Sequence, residues 1–260
     1  MAVLDKVAFS GVRFAYGDQP ILQNFDLRVA KGEFISLIGP SGIGKSTLFQ
    51  LIAGLLQPEQ GSITLNGARS ENRLGMVGYM PQRDALLPWR TVVENAALPL
   101  EIKGVAKKEA QDRVRSELPR YGLHEWADAY PAELSGGMRQ RVSFLRALLS
   151  DTDIMLLDEP FSSLDGITRM ELQEWLMEMW QETGSTMLMI THDIDEAILL
   201  ADRVIVLNGK PIEKPVELAV NVERPRTTAH RNRAEFLALR EQIWELLRQN
   251  ASKSPAGREA

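Results

Sequence analysis

The chain of 260 residues contains no cysteine. This absence excludes disulfides, thiolate zinc sites, thiol catalysis and iron–sulfur clusters. The sequence also lacks any run that approaches the ~20 apolar residues required by a membrane-spanning helix, so we expect that it does not itself form a path through a membrane. Residues 1–7 show no basic region followed by an apolar run and a cleavage site, so we predict no signal peptide.

A surplus of basic residues is absent too. The 30 Lys and Arg against 35 Asp and Glu give a net charge of −5. A dedicated nucleic-acid-binding protein usually carries a basic surplus, and we therefore expect no nucleic-acid partner. The remaining composition, 44% hydrophobic and 25% charged, is ordinary for a globular protein.

A glycine-rich segment follows a short apolar run. Residues 34–38 form this run, residues 39–46 fit the pattern G-x-x-x-x-G-K-[ST], and residues 45–56 carry apolar side chains at helical spacing. Strand, glycine loop and helix are the context in which backbone N–H groups and a helix N-terminus bind phosphate. The segment predicts a nucleotide-phosphate site formed by Gly39, Ser41, Gly42, Gly44, Lys45, Ser46 and Thr47.

Residues of the loop and of a later strand end have distinct predicted roles. Lys45 would reach the β- and γ-phosphates, and the Ser46 hydroxyl would ligate Mg²⁺. Asp158 ends the apolar run 154–157 and would hold the Mg²⁺ shell, because ligands bind at the strand ends of open parallel sheets. Glu159 would accept the proton of the attacking water. An Asp-Glu pair after a strand is by itself more often a solvated turn, but the glycine loop favours the catalytic interpretation.

One of the three histidines has a comparable position. His192 follows the apolar run 187–190 and Thr191. An imidazole at a strand end can hydrogen-bond a γ-phosphate oxygen. A lone histidine is more often structural, but this position favours function. His124 and His230 lack that context, and we predict that they are surface residues.

The order of the elements predicts the fold class. Strand-like runs alternate with helical patterns, which indicates an α/β fold with a mostly parallel sheet, covered on both faces and preceded by antiparallel N-terminal strands. Residues 1–84 and 151–210 would form the two parts of a phosphate-loop ATPase core. Residues 85–150 would form an inserted helical subdomain.

The last segment, 211–260, is predicted to be a short polar tail. Apolar residues at helical spacing over 233–248 predict a docked helix with Asn232 as its cap. We predict that the six arginines from Arg224 to Arg248 form a solvated face.

A Leu-Ser-Gly-Gly segment at 134–137 accompanies the glycine loop and the acidic pair. With these motifs the chain resembles the ATP-binding subunits of ABC transporters over about residues 4–210. In that family this segment is the signature motif, and it caps the ATP held by a second copy in a head-to-tail dimer. The resemblance implies that Ser135, Gly136 and Gly137 contact the partner's nucleotide.

The resemblance also implies roles for single residues. Tyr16 would stack on adenine, the alternative being an aromatic of the strand core. Gln82 would sense the γ-phosphate and Mg²⁺ as a further metal contact, and Asp165 would lie in a loop that crosses the dimer interface. Two positions depart from the usual pattern: Met138 replaces a common Gln and Ser163 a common Ala.

Residues 87–92, 94–95 and 134–141 resemble one importer group, which takes up nitrate, sulfonates, taurine and thiamine pyrimidine precursors. This implies an ATPase with ATP and Mg²⁺ as cofactors, peripheral on the cytoplasmic face of the inner membrane. Its partners would be a second copy, membrane permease subunits and, indirectly, an external solute-binding protein. An exporter or lipid-handling ATPase and a soluble non-transport ABC protein remain alternatives.

A surface for the permease can also be predicted. The resemblance implies that the region from Gln82 to Trp89 receives a short helix of the membrane subunit. Leu86, Leu87 and Trp89 would be the groove residues. Packing within the helical subdomain is the alternative for these side chains.

Overall fold

The computed structural model of the protein describes residues 5–162 and 164–251. Its strands are β1 Asp5–Tyr16, β2 Gln19–Ala30, β3 Phe34–Ile38, β4 Gln60–Leu65, β5 Ala68–Arg69, β6 Gly78–Met80, β7 Ile154–Asp158, β8 Thr186–Ile190, β9 Arg203–Val206 and β10 Val216–Ala219. Its α-helices are α1 Lys45–Ile52, α2 Val92–Ile102, α3 Lys107–Glu117, α4 Gly136–Leu148, α5 Gly166–Thr183, α6 Ile194–Leu200 and α7 Ala234–Ala251. Short 3₁₀ helices span Leu118–Tyr121, His124–Trp126, Pro131–Glu133 and Thr228–Asn232.

The strands form two sheets. The antiparallel sheet has the order β2-β1-β4-β5, and the larger sheet has the order β10-β9-β3-β8-β7-β6. In the larger sheet β9, β3, β8, β7 and β6 are parallel, and only the edge strand β10 runs antiparallel, to β9. The architecture confirms the predicted α/β class with N-terminal antiparallel strands.

The larger sheet separates two hydrophobic cores. On β3, Phe34 and Ile38 belong to the core shared with the helices α2 to α7, whereas Ile35 and Leu37 belong to the core shared with α1 and the antiparallel sheet. Side chains of a strand alternate between its faces, so an apolar run such as Phe34–Ile38 is buried on both sides. This burial explains why the parallel strands have continuous apolar sequences.

Parallel pairing brings several strand ends to one edge. Strands β3, β6, β7 and β8 all end there, and the segments that follow them carry the glycine loop, Gln82, Glu159 and His192. The predicted phosphate-site residues therefore approach one another although they are far apart in sequence.

The region between β6 and β7 is helical within the described residues. Helix α2 begins at a capping box, in which the Thr91 side chain accepts from Glu94 N and the Glu94 side chain accepts from Thr91 N. Helices α3 and α4 follow, separated by 3₁₀ turns. The division of the chain into core, helical subdomain and tail stays a prediction.

One predicted helix end was wrong, and three strands were missed. Helix α1 ends at Ile52 rather than Leu56, because Gly54 adopts a φ of 79° that turns the chain. The sequence interpretation also missed β4, β5 and β10. These strands are short or have few apolar residues, so their sequences carry a weak signal. They form by backbone pairing, β4 with β1, β5 with β4 and β10 with β9.

The tail was predicted only in part. Helix α7 is present and buries Phe236 and Ile243, but it starts at Ala234, and Asn232 lies in the preceding 3₁₀ helix rather than at the cap. The expected solvated face of arginines was wrong for two of its members. Arg224 binds Asp202 and lies 4.3 Å over the Trp180 ring, and Arg226 donates to the carbonyls of Ile198, Ala201, Val220 and Val222.

Across residues 5–162 and 164–251, no helix is both long and apolar enough to cross a membrane.

Candidate functional site

The glycine loop connects the buried strand β3 to helix α1. Gly42 and Gly44 have φ angles of 71° and 122°, which glycine adopts without strain. A Cβ on Gly44 would lie 2.5 Å from Ile21 Cγ2, and one on Gly39 would lie 2.9 Å from the Leu207 carbonyl oxygen. Helix α1 has no side-chain cap, so its first N–H groups stay available for an anion.

Lys45 lies within this loop and is buried. Its Nζ donates to the carbonyl oxygens of Gly39 at 2.8 Å and Pro40 at 3.1 Å. Burial lowers the pKa of Lys45, while the nearby carboxylates of Glu159 and Asp158 raise it. The loop therefore holds the ammonium group at the centre of the predicted phosphate site.

Asp158 ends β7 and is only 4% exposed. Hydrogen bonds link its carboxylate to the hydroxyls of Ser46 and Tyr79. Burial and, to a lesser extent, the charge of Glu159 raise the pKa of Asp158, and together they outweigh the opposing effects of Ser46, Lys45 and Tyr79. A buried carboxylate of this kind is stabilised when a cation binds beside it.

The donor set around Asp158 fits a magnesium ion held partly by a nucleotide. Asp158 and Ser46 offer carboxylate and hydroxyl oxygens, which Mg²⁺ prefers, and they already lie within hydrogen-bonding reach. Among the residues that the structure describes, no group of three His, Cys, Asp or Glu side chains could hold a metal alone. Mg²⁺ commonly takes one or two carboxylates plus substrate phosphates and waters, so one carboxylate and one hydroxyl suffice.

Three polar side chains converge beyond the ends of β6, β7 and β8. The Gln82 amide donates to Glu159 Oε2 at 2.9 Å, and His192 Nδ1 lies 3.7 Å from the same oxygen. Glu159 has a φ of 49°, and its N–H donates to the Ile190 carbonyl at 2.9 Å. The unusual backbone conformation directs this carboxylate to the sheet edge, between Gln82 and His192.

The signature segment lies at the start of helix α4, beside the start of α5. Ser135 Oγ caps α4 by accepting from Met138 N at 3.3 Å, and Asp165 Oδ1 caps α5 by accepting from two backbone N–H groups. A Cβ on Gly137 would lie 2.6 Å from Thr168 Cγ2, so the two helix starts are in close contact. The structure thus brings Ser135, Gly137 and Asp165 together.

Tyr16 lies at the end of β1 and is 47% exposed. Its ring meets Phe14 edge-on with centroids 4.9 Å apart, and its hydroxyl lies 3.3 Å from Gln50 Oε1. Much of the ring thus faces solvent beside α1, as an adenine platform requires. Its role stays a prediction.

Sequence reasoning missed Tyr79, which contacts Asp158. Burial raises the pKa of Tyr79, with a further contribution from the adjacent Asp158 charge. The sequence could have indicated this residue, because Tyr79 lies in the strand that leads to Gln82. Alternate residues of that strand face the side of the sheet on which the glycine loop lies. The predicted departure at Ser163 lies outside the described residues.

Comparisons with known proteins identify the family of the chain. A family model described as ABC transporter matches residues 22–162. A formylaminopyrimidine import ATP-binding protein of Halalkalibacterium halodurans is 41% identical over 248 residues, which cover 94% of this chain and 97% of that protein. A taurine import ATP-binding protein of Pseudomonas aeruginosa is 43% identical over 78% of each chain. An aliphatic sulfonates import ATP-binding protein of Bacillus thuringiensis is 41% identical over 82% of this chain and 84% of that protein.

A solved structure shows the same architecture. It is the dimeric post-hydrolysis state of an ATP-binding cassette bound to ADP and Pi, and it matches with a TM-score of 0.73 and 31% identity. The match covers 84% of this chain and all of that one.

Proposed function

The chain belongs to the ABC transporter family as an ATP-binding subunit and ATPase, and we propose that it energises the import of a small polar or anionic solute. The names of three relatives support import: they act in formylaminopyrimidine, taurine and aliphatic sulfonate uptake. We place the solute of this chain in the same range, with nitrate, a sulfonate or a pyrimidine precursor as examples. An exporter or lipid-handling role is the alternative, and these relatives favour import.

The observation that carries the proposal is the convergence of three strand ends beside the glycine loop. Gln82, Glu159 and His192 face one point, and Lys45 is close enough to both carboxylates for their charges to raise its pKa. A phosphate chain on the loop would place its γ-phosphate at this point.

Binding would use groups that the loop already orients. The N–H groups of Gly42 to Thr47 would bind phosphate oxygens, and Lys45 would exchange its contacts with Gly39 and Pro40 for the β- and γ-phosphates. Ser46 and Asp158 would hold Mg²⁺, which neutralises phosphate charge when bound. Tyr16 would stack on the adenine, and Ser41 and Gly39 would complete the loop.

Hydrolysis would then depend on Glu159. Its carboxylate would accept a proton from the water that attacks the γ-phosphorus, while the bond to the β–γ bridging oxygen breaks and ADP leaves. The amide of Gln82 would release Glu159 and turn toward the phosphate and metal. His192 would donate a hydrogen bond to a γ-phosphate oxygen, where negative charge persists through the transition state.

The site would be completed by a second copy. Ser135, Gly136 and Gly137 begin a helix whose positive end suits a γ-phosphate, and Asp165 would cross the interface beside them. In a two-fold arrangement each copy would supply these residues to the other. ATP would shift the pair toward the closed state, because only that state lets both copies contact the nucleotide.

The permease would bind near Trp89, which is 71% exposed. The buried Asn95 fixes this loop, since its amide donates to the carbonyls of Leu87, Arg90 and Thr91 and its oxygen accepts from Leu87 N. Leu86 instead lies in the core, so for this residue subdomain packing is the better interpretation. We place the assembly on the cytoplasmic face of the inner membrane, with an external solute-binding protein as indirect partner.

Replacing the proposed general base tests the catalytic part. Glu159→Gln should lower ATP hydrolysis by roughly 10²–10⁴-fold and leave ATP binding within about twofold, because the amide keeps the shape but accepts no proton. Steady-state phosphate release and titration with a fluorescent ATP analogue measure the two. Loss of binding in proportion to hydrolysis would contradict the assigned role.

The same variant tests the transport part. With ATP, Glu159→Gln should hold the closed state, so an affinity pull-down from detergent-solubilised membranes should recover a polytopic membrane protein in near-equal amount. Mass spectrometry identifies the partner. Recovery of ribosomal or DNA-bound proteins without any permease would overturn the transport role and leave the ATPase assignment intact.

A further inference from the structure

The segment that carries His192 is fixed on both sides by helix α6. Thr191 Oγ1 donates to Glu196 Oε2 at 2.6 Å and accepts from Asp193 N at 3.1 Å. Asp193 caps α6, with Oδ1 accepting from Asp195 N at 2.8 Å and from Glu196 N at 3.2 Å. His192 itself remains 62% exposed, so its position depends on its two neighbours in sequence.

Glu196 is the centre of this arrangement and is only 5% exposed. Its second oxygen, Oε1, accepts from the buried Gln173 amide of α5 at 3.1 Å. Burial raises the pKa of Glu196, while the Thr191 hydrogen bond and the charge of Arg169 lower it. A buried carboxylate destabilises the fold unless it is hydrogen-bonded. The hydrogen bonds of Glu196 therefore hold its partners in one arrangement.

Arg169 connects Glu196 to a second functional segment. Its guanidinium lies 3.8 Å from Glu196 Oε1 and 3.8 Å from Asp193 Oδ2, and it donates to the Leu164 carbonyl at 3.2 Å. Leu164 precedes Asp165, whose carbonyl accepts from Arg169 N. One side chain therefore touches both the segment after His192 and the segment that leads to Asp165.

We propose that Glu196 and Arg169 are positioning residues for hydrolysis, which hold the imidazole of His192 beside Glu159 and tie it to the Leu164–Asp165 segment. The inference rests on the proposed function, in which His192 serves the nucleotide of its own chain and Asp165 that of the partner. The two segments then move as one unit, and movement at the interface changes the place of His192. Neither positioning residue needs to touch the nucleotide.

Kinetics of the purified full chain test the proposal. Glu196→Gln and Arg169→Ala should each lower kcat for ATP hydrolysis by about 10-fold with KM within about twofold, because orientation at the reacting centre is lost while phosphate binding is not. Arg169→Lys should recover part of the rate, since it keeps a cation beside Glu196 and Leu164. A rise in KM with unchanged kcat, or no change in kcat for either variant, would overturn the proposal.

A double-mutant cycle with His192→Ala separates positioning from general damage. If Glu196 acts through His192, Glu196→Gln should not lower kcat further in the His192→Ala background. A further loss of about 10-fold there would overturn the inference while leaving the proposed function intact. A His192→Ala protein with unreduced hydrolysis would instead refute the role of His192 itself and, with it, the inference.

Controls exclude effects of unfolding. Glu174→Gln makes the same carboxylate-to-amide change on the exposed side of α5 and should leave kcat unchanged. The thermal unfolding midpoint of each variant is measured without nucleotide. Arg169 is half-buried rather than buried, so its variants should fold, and the proposal stays testable even where Glu196→Gln is unstable.

Discussion

Two regions of the molecule use their polar groups differently. The strand-end region comprises residues 39–47 with Gln82, Asp158, Glu159 and His192, and its groups largely bind one another. Lys45 donates to loop carbonyls, Gln82 to Glu159, and Asp158 pairs with Ser46. The helix-start region comprises residues 135–137 and Asp165. In the part of the chain that the structure describes, the side chains of Ser135 and Asp165 cap their own helices.

The open space around the two regions differs as well. A Cβ on Gly136 would have the flexible Arg139 side chain, at 4.0 Å, as its nearest neighbour, so the start of α4 faces outward. Free N–H groups at an exposed helix start attract an anion. This difference supports the proposal that the strand-end region binds a nucleotide within one chain, whereas the helix-start region binds the phosphate of a partner's nucleotide.

The largest expected effect on ATP binding comes from a substitution in the strand-end region. Lys45→Ala should weaken ATP binding by about 10- to 100-fold, because a charge-assisted contact to the phosphates is removed. Titration with a fluorescent ATP analogue measures the Kd. The unfolding midpoint of the nucleotide-free variant controls for the lost contacts to Gly39 and Pro40, and normal ATP binding would show that the phosphate-loop assignment is wrong.

A smaller effect on binding, with a large one on turnover, is expected at the helix-start region. Gly136→Asp should lower kcat by about 10²-fold and leave the ATP affinity of the single chain within about twofold, because the new charge repels only a partner's phosphate. Gly136→Ala, which adds a Cβ into open space, is the matched control. Equal losses of affinity and turnover would place the signature segment in its own chain's site.

The smallest expected effects are on the stability of the nucleotide-free fold, and they have opposite signs for Asp158 and Asp165. Thr168 hydrogen bonds hold the pKa of Asp165 below its usual value, so its stabilisation is present above the unfolded-state pKa and is lost as the pH falls through the folded-state pKa. Burial raises the pKa of Asp158, so its ionisation destabilises the nucleotide-free fold above the folded-state pKa.

Thermal unfolding without nucleotide measures this contrast. At about pH 7, Asp158→Asn should raise the unfolding midpoint and Asp165→Asn should lower it, each by about 2–4 °C, and both differences should shrink toward about pH 3. Shifts of the same sign for both variants would contradict the contrast between a buried carboxylate and an exposed, capping one.

The strand-end region could be predicted because its residues follow apolar runs. Continuous burial of Phe34–Ile38 and of Ile154–Asp158 leaves a sequence signal, and parallel pairing then sets which ends meet. The family assignment and its import relatives confirm the predicted ABC ATPase. The roles of Glu159, His192 and the other site residues remain predictions.

Other features left no such signal. Strand β10 pairs at an edge with a half-exposed sequence, and its existence depends on β9. Sequence reasoning placed Arg226 among the solvated arginines, but its guanidinium donates to carbonyls around the end of α6, and burial together with the nearby charge of Arg224 lowers its pKa to about 10. The contact between Arg169 and Glu196 joins residues from two helices, and only the tertiary packing of those helices creates it.

The shared site is tested most directly by the mass of the Glu159→Gln protein in solution. Light scattering after size exclusion, with and without saturating ATP and Mg²⁺, reports whether the nucleotide joins two copies. We predict one chain of 29.1 kDa without ATP, twice that mass with ATP, and no dimer when Gly136→Asp is added. A mass of one chain at saturating ATP, with the nucleotide bound, would contradict this prediction.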